Sequence, residues 1–154
     1  MAAKVIREGE YFAIPLPSGG YGVGLAARVG SRGVVLGYFS PARHGSIPAL
    51  ADATFSPGQA IWIKLFGDLG IADGEWVVIG YDEKWNPVDW PLPDFAHHEE
   101  ITGRCYRLSF DGDLRNRPSR TLVPVDQTVE LPEYGTAGAQ FIEIRLDKIL
   151  SLPR

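Results

Sequence analysis

Glycine and proline are spread through this sequence so densely that its apolar runs stay short. Thirty of the 154 residues are one or the other, about a fifth, where ordinary usage gives roughly an eighth. Such punctuation disfavours a bundle of long helices and favours short strands joined by turns. The expected fold is α+β and mostly β: a small twisted antiparallel sheet or partly open barrel of about six to seven strands, one or two short helices and a C-terminal helix. The length suits a single domain over 1–154, and a chain of this size buries roughly 70 % of its extended surface, enough to hold without metal or disulfide staples.

The pattern along the chain fills in the elements. Phe12, Ile14 and Leu16 alternate onto one face of a strand over Glu10 to Leu16, and Pro15 within it predicts an edge strand. After the turn Pro17-Ser18-Gly19-Gly20 the chain returns through Tyr21 to Val29, where Gly22 and Gly24 leave one face as bare backbone for another element to approach. Gly33 to Phe39 is a third strand, Ile47 to Ala53 a short helix, and Gln59 to Phe66 and Glu75 to Tyr81 are further strands, with room for one helical turn in Asp68 to Gly74. Asp82 to His98 holds Pro87, Pro91 and Pro93 and reads as a long ordered loop or flap. Cys105 to Phe110 alternates as a strand with Asp111-Gly112 as its hairpin turn. Ala139, Ile142, Leu146, Ile149 and Leu150 fit one helical face, with Thr136 as its cap; the competing alternation of Ile142, Ile144 and Leu146 is outweighed by the length without Gly or Pro.

Several function classes drop out on composition. No apolar run approaches the roughly 18 residues of a membrane span, and Met1 to Glu10 shows no leader pattern, so a soluble, cytoplasmic protein without a membrane partner is expected. The lone Cys105 precludes an internal disulfide. A net charge of −4 argues against general nucleic-acid binding. That charge is unevenly placed. Residues 65–100 carry nine acids against Lys84 alone, whereas residues 101–123 carry five arginines and two aspartates. A concentrated acidic segment steers basic partners; its plainer reading is a solvated face.

Chemical motifs are weak. Gly22-Val23-Gly24 has the letters of a phosphate loop, but Gly30 and Gly33 interrupt the helix such a loop needs. His97, His98, Glu99 and Glu100 offer metal-ligating groups, yet neighbours in sequence point apart, and Thr102 stands where a zinc-protease pattern starting at His98 needs its second histidine. Cys105 with His97 or His98 is a conceivable nucleophile and base, with Arg107 favouring a thiolate, although a buried structural cysteine is the simpler expectation. Arg115, Arg117 and Arg120 suit either a solvated loop or an internal partner for the acidic segment. No catalytic residue, metal or cofactor is assigned. The strongest signal is Trp76, Tyr81, Trp85, Trp90 and Phe95 threaded through the acid-rich stretch. Aromatic residues ringed by carboxylates fit a protein interface; the alternative is that they anchor the proline loop to the core. Trp76 is expected in the core, and Trp85 and Trp90 partly exposed.

The segment Gly9-Glu10-Tyr11-Phe12-Ala13-Ile14-Pro15-Leu16, followed by Gly20-Tyr21-Gly22-Val23-Gly24, Tyr38-Phe39, Trp76-Val77-Val78-Ile79-Gly80, Pro91-Leu92-Pro93 with Phe95, Tyr106, and Ile142-Glu143-Ile144-Arg145-Leu146, resembles the immunity protein 26 family of bacterial polymorphic toxin systems. The resemblance runs over about residues 8–150. It implies a largely β protein without catalytic machinery that neutralises a cognate toxin domain by covering it. On this reading Asp82, Glu83, Asp89, Asp94, Glu99 and Glu100 attract a basic toxin surface while Trp85 and Trp90 fill its pockets. The alternatives are a small hydrolase using His97, His98, Glu99 or Cys105, and a carbohydrate-binding module stacking sugars on Trp85 and Trp90.

Overall fold

The structure, a computed structural model, describes residues 4–153. Among the described residues eight strands form two antiparallel sheets, and neither closes into a barrel. The large sheet comprises β1 (Glu10–Pro15), β2 (Tyr21–Val29), β3 (Val34–Phe39), β4 (Trp62–Gly67) and β5 (Val77–Tyr81), ordered β4-β3-β2-β1-β5. The small sheet is β6 (Phe95–His98), β7 (Cys105–Ser109) and β8 (Ser119–Val123) in sequence order. Two one-turn helices, α1 (Leu50–Ala53) and α2 (Leu69–Ala72), and the C-terminal α3 (Ala139–Leu150) complete the α+β fold.

Both faces of the large sheet are buried. One carries Tyr11, Val23, Leu25, Leu36 and Tyr38 against α1, Trp90 and the small sheet's Phe95 and Leu108. The other carries Phe12, Ile14, Val35, Phe39 and Phe66 against α2, Trp76 and the Ile142 and Leu146 stripe of α3. The layers are therefore small sheet, large sheet, helix. Trp76 is at the centre of the second core, as its sequence context predicts, stacked on Phe12 at 5.8 Å. Segment 132–137 ties the layers at their edges: it bridges to β6 at Ala96 and to β4 at Phe66.

β1 lies between β2 and β5, so it is a central strand and not the edge that Pro15 suggests. The proline costs no ladder bond because pairing with β5 ends at Ala13, short of Pro15. The bare face of β2 is used as anticipated. A Cβ on Gly22 would stand 2.5 Å from Leu146 of α3, and one on Gly24 2.5 Å from the Phe12 ring. The hairpin from β7 to β8 turns at Asp111-Gly112, both at positive φ, but the chain rejoins the ladder only at Ser119 opposite Ser109, making a nine-residue loop of it. Phe95–His98, expected within the flap, pairs with β7 as a strand because the prolines stop at Pro93. The α3 N-cap is Gly138, two residues past Thr136.

The far end of α3 is secured by charge. Asp147 accepts the Ser18 hydroxyl at 2.6 Å and backbone N–H at 2.9 Å, and pairs with Arg43 at 2.7 Å. Hydrogen bonding to Ser18 and then Arg43 holds the Asp147 carboxyl below its ordinary value against the opposing effect of burial. A carboxyl depressed on folding stabilises the native state above its unfolded value of about 4, and that stability is lost as pH falls through the lower folded value. Denaturant titrations of Asp147→Asn should show lower stability at neutral pH and a shallower decline below about pH 4. In the same assay Gly24→Ala should cost about 1–3 kcal/mol, because the rigid Phe12 ring cannot yield to the added methyl.

Candidate functional site

The acid-rich stretch leaves the large sheet after β5 and forms a flap over 82–93. Its first fold is local: Asp82 donates its N–H to Gly9 O at 3.1 Å and accepts the Lys84 N–H at 2.9 Å. Trp85 then packs beside Gly9 at φ +91°, where an added Cβ would stand 3.2 Å from the indole and 2.7 Å from the Tyr81 ring. Asn86 Oδ1 accepts the Val88 N–H and opens a 3-10 turn at Pro87–Asp89.

Arg28 and Tyr38 of the large sheet, with Phe55 from the loop after α1, pin this flap. Arg28 Nη1 donates to Trp90 O at 3.0 Å and Nη2 to Pro87 O at 3.1 Å. Tyr38 donates its hydroxyl to Pro91 O. The Trp90 ring meets Tyr38 and Phe55 edge to face at 5.1 and 5.4 Å. Arg28 reaches the flap because a bulge between Ala26 and Arg28 sets it opposite Leu36, on the face of the first core. Burial raises the pKa of the Tyr38 phenol, so the hydroxyl stays a donor across the ordinary pH range.

These contacts correct the expectation for Trp90. At 5 % exposure it is a core residue, the anchor on which the flap is folded, whereas Trp85 is half-buried. A sugar-stacking platform of Trp85 and Trp90 is thereby overturned, since the Trp90 ring is covered on the protein side.

Of the six candidate carboxylates, three are engaged within the molecule. Asp82 caps Lys84, Asp94 pairs with Arg107 at 2.7 Å, and Glu99 accepts the Thr102 hydroxyl at 2.7 Å. Glu83, Asp89 and Glu100 are exposed and have no hydrogen-bond or ion-pair partner among the described residues. Beside them stand two apolar side chains that sequence reasoning passed over: Val88 at the flap tip, 81 % exposed, and Ile101 in the β6–β7 turn, 99 % exposed. The candidates thus form two groups, Glu83 with Val88 and Asp89 on the flap and Glu100 with Ile101 at the turn, separated by the length of β6. The missed signal for Arg28 is that it is the sole charge in the otherwise apolar strand Tyr21–Val29.

The residues of the enzymatic alternatives are dispersed. His97 and His98 take opposite faces of β6. His98 lies across from Cys105 in the ladder, but its ring nitrogens face Glu133 at 3.1 Å and Thr128 Oγ1 at 3.1 Å, while the buried Cys105 sulfur points to Gly103 O at 3.9 Å. Threonine, histidine and glutamate in line have the outline of a nucleophile, base and orienting acid. Thr128, however, is buried and donates its hydroxyl to Val125 O at 2.7 Å, so the chain of bonds straps the 125–133 segment to β6. Among the described residues no three His, Cys, Asp or Glu side chains converge as a metal site, and no helix is long and apolar enough to cross a membrane. Arg107 is turned to Asp94, not to the cysteine.

Replacing Arg28 with Met keeps its aliphatic stem and removes both bonds to the flap. Hydrogen exchange of the 86–92 amides should then quicken about tenfold, the equivalent of one charge-assisted bond of about 1.5 kcal/mol, while the α3 amides keep their protection.

Comparison with known proteins gives one assignment. The model of a protein family described as immunity protein 26 matches residues 7–106. The match takes in β1 to β5, the flap, β6 and the start of β7, and ends before the Ile142–Leu146 helix included in the resemblance read from the sequence. No curated protein and no solved structure matches the chain.

Proposed function

The chain belongs to the immunity protein 26 family, and from that membership we propose that it neutralises a cognate bacterial toxin domain by binding and covering it, in the cytoplasm and without chemistry of its own. The observation that carries the reading to a particular surface is the pinned flap with its unpaired carboxylates, Glu83 and Asp89, around exposed Val88. Glu100 and Ile101 supply a second point of contact. Asp82, Trp85, Trp90, Asp94 and Glu99 shape and hold these two points. The toxin surface is basic on this reading, because free carboxylates set beside apolar side chains favour a partner that brings cations and an apolar contact together.

A flap already folded in the free protein loses little conformational freedom on docking. Its charge acts mainly on the encounter, raising the association rate in a salt-dependent way. An interface of standard size, about 800 Å² per partner, needs more than the flap tip and so reaches onto neighbouring surface.

The test uses the toxin domain encoded in the neighbouring reading frame. Glu83→Lys with Asp89→Lys should slow association about tenfold or more at low ionic strength and flatten its dependence on salt, read by stopped-flow or biosensor kinetics. Co-expression should show the same variant failing to protect cells. Full protection and unchanged salt dependence would move the interface off the flap; a toxin that binds nowhere on the chain would sink the reading itself.

A further inference from the structure

The three arginines of the β7–β8 loop and β8 lead to a second surface, independent of the toxin-binding reading. Cross-strand partners share a face of a sheet, so the face of the small sheet that sends Phe95 and Leu108 into the core also carries His97, Tyr106 and Arg120. Past the edge of the core this face opens into a cleft of about 540 Å³ lined by His97, Leu108, Arg117, Pro118, Arg120 and Tyr134. That volume falls in the range of small-ligand sites.

Among the described residues no carboxylate lines the cleft. The neighbouring acids are spent elsewhere: Asp94 on Arg107, Asp113 on Arg115 at 3.0 Å, and Glu133 on His98. Asp111 forms no ion pair among the described residues, and Arg117 and Arg120 have no carboxylate partner there. Arg120 is nonetheless held in place, its guanidinium 3.9 Å from the centre of the Tyr106 ring. Tyr106 lies near-parallel to His97 at 6.4 Å, and His97 meets Tyr134 edge to face at 6.2 Å. The wall thus carries Arg120, braced by Tyr106 behind it, and the rings of His97 and Tyr134, with Leu108 and Pro118 as its apolar side.

Two guanidinium groups without counter-charges, beside flat rings, match a ligand that has oxygen charge at one end and a planar apolar body at the other. We propose that this cleft binds an organic oxyanion, a phosphate ester or carboxylate carried on a flat ring, with Arg117 and Arg120 on the oxygens and the His97 and Tyr134 rings against the body.

The full chain is titrated with phenyl phosphate, benzoate and inorganic phosphate while its amide resonances are followed by NMR. Saturable shifts centred on Leu108, Arg117, Arg120 and Tyr134 are expected with at least one ring-bearing anion, and the tighter of the two tells phosphate ester from carboxylate. Inorganic phosphate should bind at least tenfold more weakly. Arg117→Gln, at an exposed position without internal partners, should weaken binding about tenfold, one charged hydrogen bond's worth, and Arg120→Gln likewise. Arg115→Gln, outside the cleft, should leave it unchanged. The proposal fails if neither ring-bearing anion saturates, if affinity survives both Arg117→Gln and Arg120→Gln, or if inorganic phosphate binds as tightly as the ring-bearing anions.

Discussion

A sheet buried on both faces dictates the rest of this molecule. β1 and β2 present Tyr11, Val23 and Leu25 to one side and Phe12, Ile14 and Ala26 to the other, so neither strand has a face that tolerates water. Strands of that kind are common in sheets covered by crossover helices, but this sheet is antiparallel and its hairpins bring no helix along. Its covers come from later in the chain and each needs its own fastening. α3 is seated by the glycine gap at Gly22 and fixed by Asp147, Arg43 and Ser18. The flap and the small sheet close the other side, fixed by Arg28, Tyr38 and Trp90. The flap's order is therefore a consequence of core burial.

Much of that layout was legible in the sequence. Alternation located the first three strands to within a residue or so, the bare glycines foretold a close neighbour, and the length without Gly or Pro after Gly138 decided the last helix correctly. The misreadings share a cause: each depended on what lies beside a residue in space. Pro15 signals an edge only where a neighbouring strand runs past it, and β5 stops short. Trp90 among acids and prolines looks like a contact residue, but a loop crossing an apolar face needs an anchor, and burying a large ring there contributes several kcal/mol. The fates of the carboxylates were equally hidden. Nothing in the order of residues says that Asp94 meets Arg107 across a strand while the Asp89 carboxylate has no partner among the described residues.

Charge is sorted by these pairings into separate surfaces. The described ion pairs consume one acid of the rich segment, Asp94, and two arginines of the following one, Arg107 and Arg115. What is left over includes acid on the flap and at the β6–β7 turn, and Arg117 and Arg120 in the cleft between β8 and Tyr134. The small sheet carries groups of both signs, Glu100 in its β6–β7 turn and Arg120 on β8. A uniform field attracts by charge alone; a paired arrangement also orients, because only one docking pose satisfies both ends.

Trp90's inward position bears on where binding energy arises. Interfaces draw most of their strength from a few large, fully desolvated side chains, with tryptophan, tyrosine and arginine foremost. The flap exposes none of these at its tip: Val88 offers a small apolar contact, and Glu83 and Asp89 offer charge. Carboxylates at an open rim add mainly to the rate of encounter, whereas carboxylates sealed against a cation add to lifetime, since breaking such a pair leaves a buried charge exposed to loss of its partner. On the toxin-binding reading the large anchors must then belong to the partner: arginines that reach Glu83 and Asp89 and an apolar surface that closes over Val88.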